Sequence, residues 1–97
     1  MKYFLGIFIL LASGLVQAYQ ANCATDDGRN FNISVKDKVL TVNKKYHHPY
    51  QGRTDNGSYE YANTKYTYKI GKFKGDIFPI VVINNRGQSA VGQCSFD

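Results

Sequence analysis

Tryptophan is absent from this 97-residue chain, and cysteine, proline and methionine are scarce, at two, two and one. The two cysteines, Cys23 and Cys94, lie far apart, so there is no Cys-x-x-Cys pair from which a zinc site is usually built. Histidine occurs only as His47-His48, with no third ligand evident beside it, and the sequence implies neither a metal nor another cofactor. Glutamate occurs once, at Glu60. Internal repeats, low-complexity tracts and linkers are all missing, which leaves a single domain.

Only one apolar run is long, and it lies at the start. "MKYFLGIFILLASGLVQA" has a charged residue at Lys2, an apolar stretch and a small-residue cleavage pattern at Val16-Gln17-Ala18. This reads as a secretory signal peptide over 1–18, too short and wrongly flanked for a membrane span. No acylatable cysteine sits at the cleavage site, so the expected product is a secreted monomer of 79 residues, Tyr19–Asp97, without membrane association. In that setting an even cysteine pair reads as a disulfide. A domain this small buries only part of its unfolded surface, and closing a loop of about 70 residues adds on the order of 4 kcal/mol in the chain-entropy account. The secreted part carries eleven basic against seven acidic groups, a formal charge of +4 that suits phosphate or an acidic surface as well as ordinary solvation.

Along the secreted part, "YQANCATDDGRN" is polar with an Asp-Asp-Gly turn signal. "FNISVKDKVLTVN" is ambiguous: Phe31, Val35, Val39 and Val42 follow helical spacing, while Phe31, Ile33 and Val35 alternate like a strand before a turn at Lys36-Asp37-Lys38. "KKYHHPYQGRTDNGS" reads as a loop, punctuated by Pro49, Gly52 and Asn56-Gly57. "YEYANTKYTYKI" reads as two strands, with Tyr66, Tyr68 and Ile70 on one face. Phe78–Ile83 is the strongest strand signal and is expected to be central and buried, with Asn84–Gly87 turning into a last leg that ends at Cys94. Asn32-Ile33-Ser34 and Asn56-Gly57-Ser58 have the glycosylation acceptor pattern.

The order of an early cysteine, Asp27-Gly28, Phe31 with Val35 and Val39, "YHHPY", tyrosine-rich strands, "INNRG" and "GQCSF" resembles the RNase-like proteins associated with haustoria of powdery mildew fungi. Those effectors share the fold of small fungal guanyl-preferring ribonucleases. The resemblance implies an α+β fold in which one short helix, over roughly Ile33–Asn43, packs on a small curved antiparallel sheet. It also implies a disulfide from Cys23 to Cys94 that joins the two ends of the chain. The catalytic positions do not carry over. His47 or His48 loosely matches one histidine, and Glu60 or Tyr68 falls near the general base. Pro79 stands where the arginine belongs, and Gln88–Gln93 contains no histidine to act as the acid. Losing a positioned general acid removes roughly two to four orders of magnitude in rate. The expectation is a pseudo-ribonuclease without catalytic residues, acting as a virulence or avirulence effector inside the host plant cell. Its implied partners are a host protein and an intracellular immune receptor.

RNA is a further partner that the inventory admits. Lys44, Lys45, Arg53, Lys65, Lys69, Lys72 and Lys74 are interleaved with Tyr46, Tyr50, Tyr66, Tyr68 and Phe73, and His47 and His48 join them in the same stretch. Cations track phosphates and rings stack on bases, while tyrosine alternating with lysine is also how a half-buried strand reads. A different reading takes the chain as a bacterial secreted or periplasmic enzyme inhibitor of the lysozyme-inhibitor type. "NGSY" and "KGD" echo the S-G-x-x-Y and W-x-K-G loops of those inhibitors, although the tryptophan is missing. That reading predicts strands at Phe31–Val35 and Val39–Asn43 and no helix.

Overall fold

The computed structural model describes residues 18–96, so most of the expected signal peptide lies outside the described residues. Eight strands follow one another: β1 (Tyr19–Thr25), β2 (Asn30–Lys36), β3 (Val39–Val42), β4 (Tyr46–Arg53), β5 (Tyr59–Ala62), β6 (Tyr66–Ile70), β7 (Ile77–Asn84) and β8 (Ser89–Phe96). Each pairs antiparallel with the next, and β8 returns to β1 to close a barrel. Closure leaves no sheet edge with unpaired backbone groups.

The expected α+β architecture is therefore corrected: there is no helix among the described residues, and Ile33–Asn43 is a hairpin. Its turn is Asp37-Lys38, both at positive φ (54° and 65°), the mirror-type pair whose twist matches the flanking strands. Ile33 and Val35 on β2 and Leu40 and Val42 on β3 point into the barrel, while Phe31 and Val39, which completed the helical spacing, are only half-buried. Two alternations meeting at a two-residue turn imitate a 3.6-residue period, and the β-branched residues decide in favour of strand.

The loop expected over residues 44–58 is mostly β4. Pro49 has no N–H to give, and it lies just outside the ladder to β5, which begins at Tyr50–Tyr61. Between Tyr50 and Gly52 the register shifts by a bulge, and Gly52 takes φ 132° there. The bulge sets Arg53 opposite Tyr59, and the guanidinium lies 5.0 Å from that ring.

β5, β6 and the turn after β7 fall where the sequence places them. β7 is buried on one face only, with Phe78, Ile80 and Val82 inside and Pro79 exposed. In an up-and-down barrel no strand is central, so the continuous apolar run is shared between the interior and the outer wall.

The core is the barrel interior: Ile33, Leu40, Ile70, Phe78, Ile80 and Val82 are almost wholly buried. Cys23 and Cys94 are register partners across the β1–β8 seam and form the expected disulfide, with Cα atoms 4.0 Å apart. The bridge thereby fixes β8 to β1.

Candidate functional site

An even-stranded meander puts alternate turns at opposite ends. One end carries the β1–β2, β3–β4, β5–β6 and β7–β8 turns. The other carries Asp37-Lys38, the 54–58 turn, the 71–76 loop, and both Tyr19 and Phe96; it is called the terminal end below.

The terminal end is built around one ring. Phe73 packs between Tyr19, Phe78 and Phe96, with centroids 5.6, 4.9 and 5.1 Å away. This anchors the 71–76 loop, which is further pinned by Gly71 N–H donating to the Pro79 carbonyl (2.9 Å) and by paired bonds between Lys74 and Ile77. With Phe73 held inward, Lys72 and Lys74 on either side of it are exposed. Facing them is the 54–58 turn, closed by Thr54 N–H to Ser58 O (2.8 Å) and by the Asn56 carboxamide, which accepts from the Thr54 hydroxyl and the Ser58 N–H. Arg53 donates to the Gly57 carbonyl at 3.3 Å. Arg53, Asn56, Gly57 and Tyr59 thus share one cleft with Gly71, Lys72 and Phe73, of about 500 Å³. One wall of this cleft comes from the "NGSY" turn and the other from Gly71–Phe73, just before "KGD", twelve or more positions away in sequence.

The other residues singled out from the sequence do not form a single surface. Lys45, Tyr46, His47 and Lys65 gather at the opposite end, with Lys44 in the adjoining turn. His47 faces outward there, its Nδ1 3.1 Å from the Thr41 hydroxyl, and its carbonyl accepts from the Asn63 side chain. Tyr50 belongs to the terminal end. Lys69 sits on the outer wall directly opposite Glu60 in the β5–β6 register. The residues closest to ribonuclease chemistry therefore do not converge: Glu60 is on the outer wall, and His47 and His48 lie on opposite faces of β4. Among the described residues no three histidine, cysteine or acidic side chains gather as a metal site. Of the two glycosylation patterns, Asn56 is exposed at a turn, while Asn32 is half-buried in β2. The sequence reading takes Lys36 and Lys38 only as turn residues, Tyr59 only as part of "NGSY" and Phe73 only as one of the rings among the lysines. The period-2 pattern of Tyr59, Tyr61, Tyr66 and Tyr68 marks an inward aromatic face but not the end of the barrel it reaches.

His48 is a core residue, 1% exposed. Its ring meets Tyr68 edge-on at 4.7 Å, Nδ1 lies 3.2 Å from the Leu40 carbonyl, and Nε2 has no partner. Nδ1 therefore carries the proton of a neutral imidazole and donates it to Leu40 O. Burial is the main reason its pKa is held below the ordinary 6.5, and the charge of His47 adds to it. The unfolded chain consequently binds a proton at higher pH than the folded one. Stability is full above about pH 6.5 and falls below it, by up to about 1.4 kcal/mol per pH unit, until folded His48 itself protonates. Urea unfolding between pH 7.5 and 5 should show this decline, and His48→Phe should flatten most of it. An unchanged slope in the variant would assign the decline to other groups.

No family model matches the chain, and neither the curated proteins nor the solved structures yielded a match.

Proposed function

We propose that the protein is a secreted, non-catalytic binding protein, exported by a bacterium, that inhibits a glycan-cleaving hydrolase of the lysozyme type. One observation carries this reading. On a helix-free barrel, the Asn56-Gly57-Ser58-Tyr59 turn and the Phe73-Lys74-Gly75-Asp76 stretch come to the same end, and the cleft between their loops is flanked by Arg53 and Lys72. The absence of a helix over Ile33–Asn43 is what this reading expects, and the effector reading loses its structural support with that helix.

The chemistry is complementary. Glycoside hydrolases of this kind hold two carboxyl groups about 5–9.5 Å apart in an open cleft. A loop whose ring is packed into the barrel presents the flanking lysines on a backbone already fixed before binding. The formal +4 charge of the secreted part favours a hydrolase with an acidic surface over a strongly basic one.

Hydrolysis of a peptidoglycan suspension by acidic and basic lysozymes of several classes tests the proposal. Inhibition of an acidic member at near-stoichiometric ratio is expected, weakening as salt rises. Lys72→Glu with Lys74→Glu should lower that inhibition by about 100-fold, on the scale of charge reversal at a desolvated ion pair, with thermal stability unchanged because both side chains are exposed. No inhibition of any class at stoichiometric protein would sink the idea.

A further inference from the structure

The terminal end of the barrel is not filled. Ile70, Phe78 and Leu40 are fully buried, but at this end a cup of about 330 Å³ opens, walled by Tyr19, Val35, Tyr50, Tyr59, Tyr61 and Phe73. An eight-stranded barrel is just wide enough to be plugged by its own side chains or to hold one small ligand at its mouth. Here the rings stand against the wall instead of filling the axis: Tyr50 lies 5.4 Å from Tyr61 and 6.2 Å from Tyr59. Burial raises the Tyr19 and Tyr61 phenols above their ordinary pKa, so both remain neutral hydroxyl donors. Apart from these hydroxyls the side chains of the wall are apolar, and none of them carries a charge.

The rim is different. The β2–β3 turn places Lys36 and Lys38, both exposed, at the mouth on either side of Asp37. Arg53 stands over the outer ring, Tyr59. Rings alone would suit a cationic ligand as well, but two lysines against one carboxylate at the rim leave it net positive, which favours an anion. At about 30 Å³ per non-hydrogen atom, the share of one water in the liquid, the cup takes about eleven atoms.

We propose that the mouth of the barrel is a binding site for a small apolar monocarboxylate, such as a medium-chain fatty acid. The hydrocarbon body lies among the tyrosines and Phe73, and the carboxylate sits at Lys36 and Lys38. This site is distinct from hydrolase inhibition, although Tyr59 and Phe73 line both the cup and the neighbouring cleft.

Calorimetric titration of the purified, oxidised protein with decanoate, whose size matches the cup, reads the site directly. Expected is saturable 1:1 binding, with decanol at least ten times weaker. Exchanging Lys36→Gln and Lys38→Asn together should weaken decanoate about tenfold and leave decanol unchanged. Asparagine is chosen because position 38 has φ 65°, a conformation it tolerates. Near-ultraviolet circular dichroism confirms that the variant keeps its packing, and the comparison of decanoate with decanol on the unaltered protein needs no variant. Absence of saturable 1:1 binding, or equal affinity for acid and alcohol, overturns the proposal.

Discussion

Replacing Cys23 and Cys94 together by alanine should lower the unfolding free energy by about 4 kcal/mol, the largest loss expected from any change that leaves the fold's hydrogen bonds in place. The pair closes a loop of sequence separation 71, and cross-linking over such a span removes that much chain entropy from the unfolded state in the loop-closure account. A second loss adds to it. Both cysteines are within 3% of full burial, so alanine leaves a small void at the seam. A domain of this size is stable by only about 5–15 kcal/mol, so at the lower end most of the margin disappears. The β1–β8 ladder, from Ala21–Phe96 to Thr25–Gly92, survives in the variant, which should still fold to a β spectrum in the cold but melt far earlier. Urea denaturation of the oxidised protein, the reduced protein and the double alanine variant separates the terms: reduction measures the cross-link, and the variant measures the cross-link plus the void. A loss below about 1 kcal/mol on reduction would mean that the seam is held by its hydrogen bonds and packing alone.

How far the sequence discloses this structure depends on whether the signal is local. β6 and β7 are legible because each presents one inward face of large residues, Tyr68 with Ile70 and Phe78 with Ile80 and Val82. The disulfide is read from the cysteine count together with the expectation of export. β1 is invisible for the opposite reason. Its inward residues, Ala21, Cys23 and Thr25, are small, and the stretch reads as polar. They are small because β8 presses close against them at the seam, a fact that belongs to closure and leaves no mark within the segment. Closure itself, the pairing of Tyr19–Thr25 with Ser89–Phe96, joins the two ends of the chain and has no local signature.

The misread segments have a common cause, which is that turn and breaker residues sit where the barrel tolerates them. Asp37-Lys38 makes a mirror-type turn without glycine, so the β2–β3 hairpin lacks its usual marker. Pro49 and Gly52 look like loop residues, but one lies just outside the β4–β5 ladder and the other makes a bulge. The candidate site suffers most. Period-2 alternation tells which side chains face inward, but the up-and-down order of the strands decides which end of the barrel each loop reaches. A run of lysines that looks continuous from Lys44 to Lys74 is thereby split between two ends and the outer wall, while Asn56 and Lys72 are brought to one cleft.

The second large effect is expected at Gly92, where the smallest possible addition should be among the most damaging. An alanine Cβ built there would stand 2.2 Å from the Ala24 carbonyl oxygen and 2.8 Å from the Thr25 Cα, both backbone atoms of β1. Glycine to alanine in a strand ordinarily gains a few tenths to 1 kcal/mol by restricting the unfolded chain, and Gly92 does not have the left-handed φ that would forbid a side chain. The contact reverses that sign. Backbone on the neighbouring strand cannot rotate away, so the seam itself must open. A cost of about 3 kcal/mol or more is expected, at the upper end of overpacking. Gly71→Ala supplies the control. Its Cβ would meet the Pro79 ring at 2.6 Å, where the exposed ring can yield only by repuckering and a small shift of the outer wall, so a loss of about 1–2 kcal/mol is expected. Thermal and urea melts of the two variants, each with the disulfide intact, should rank Gly92 well above Gly71. Equal losses would mean that β1 and β8 sit further apart at Thr25–Gly92 than described, and that the barrel is held closed chiefly by its covalent bridge.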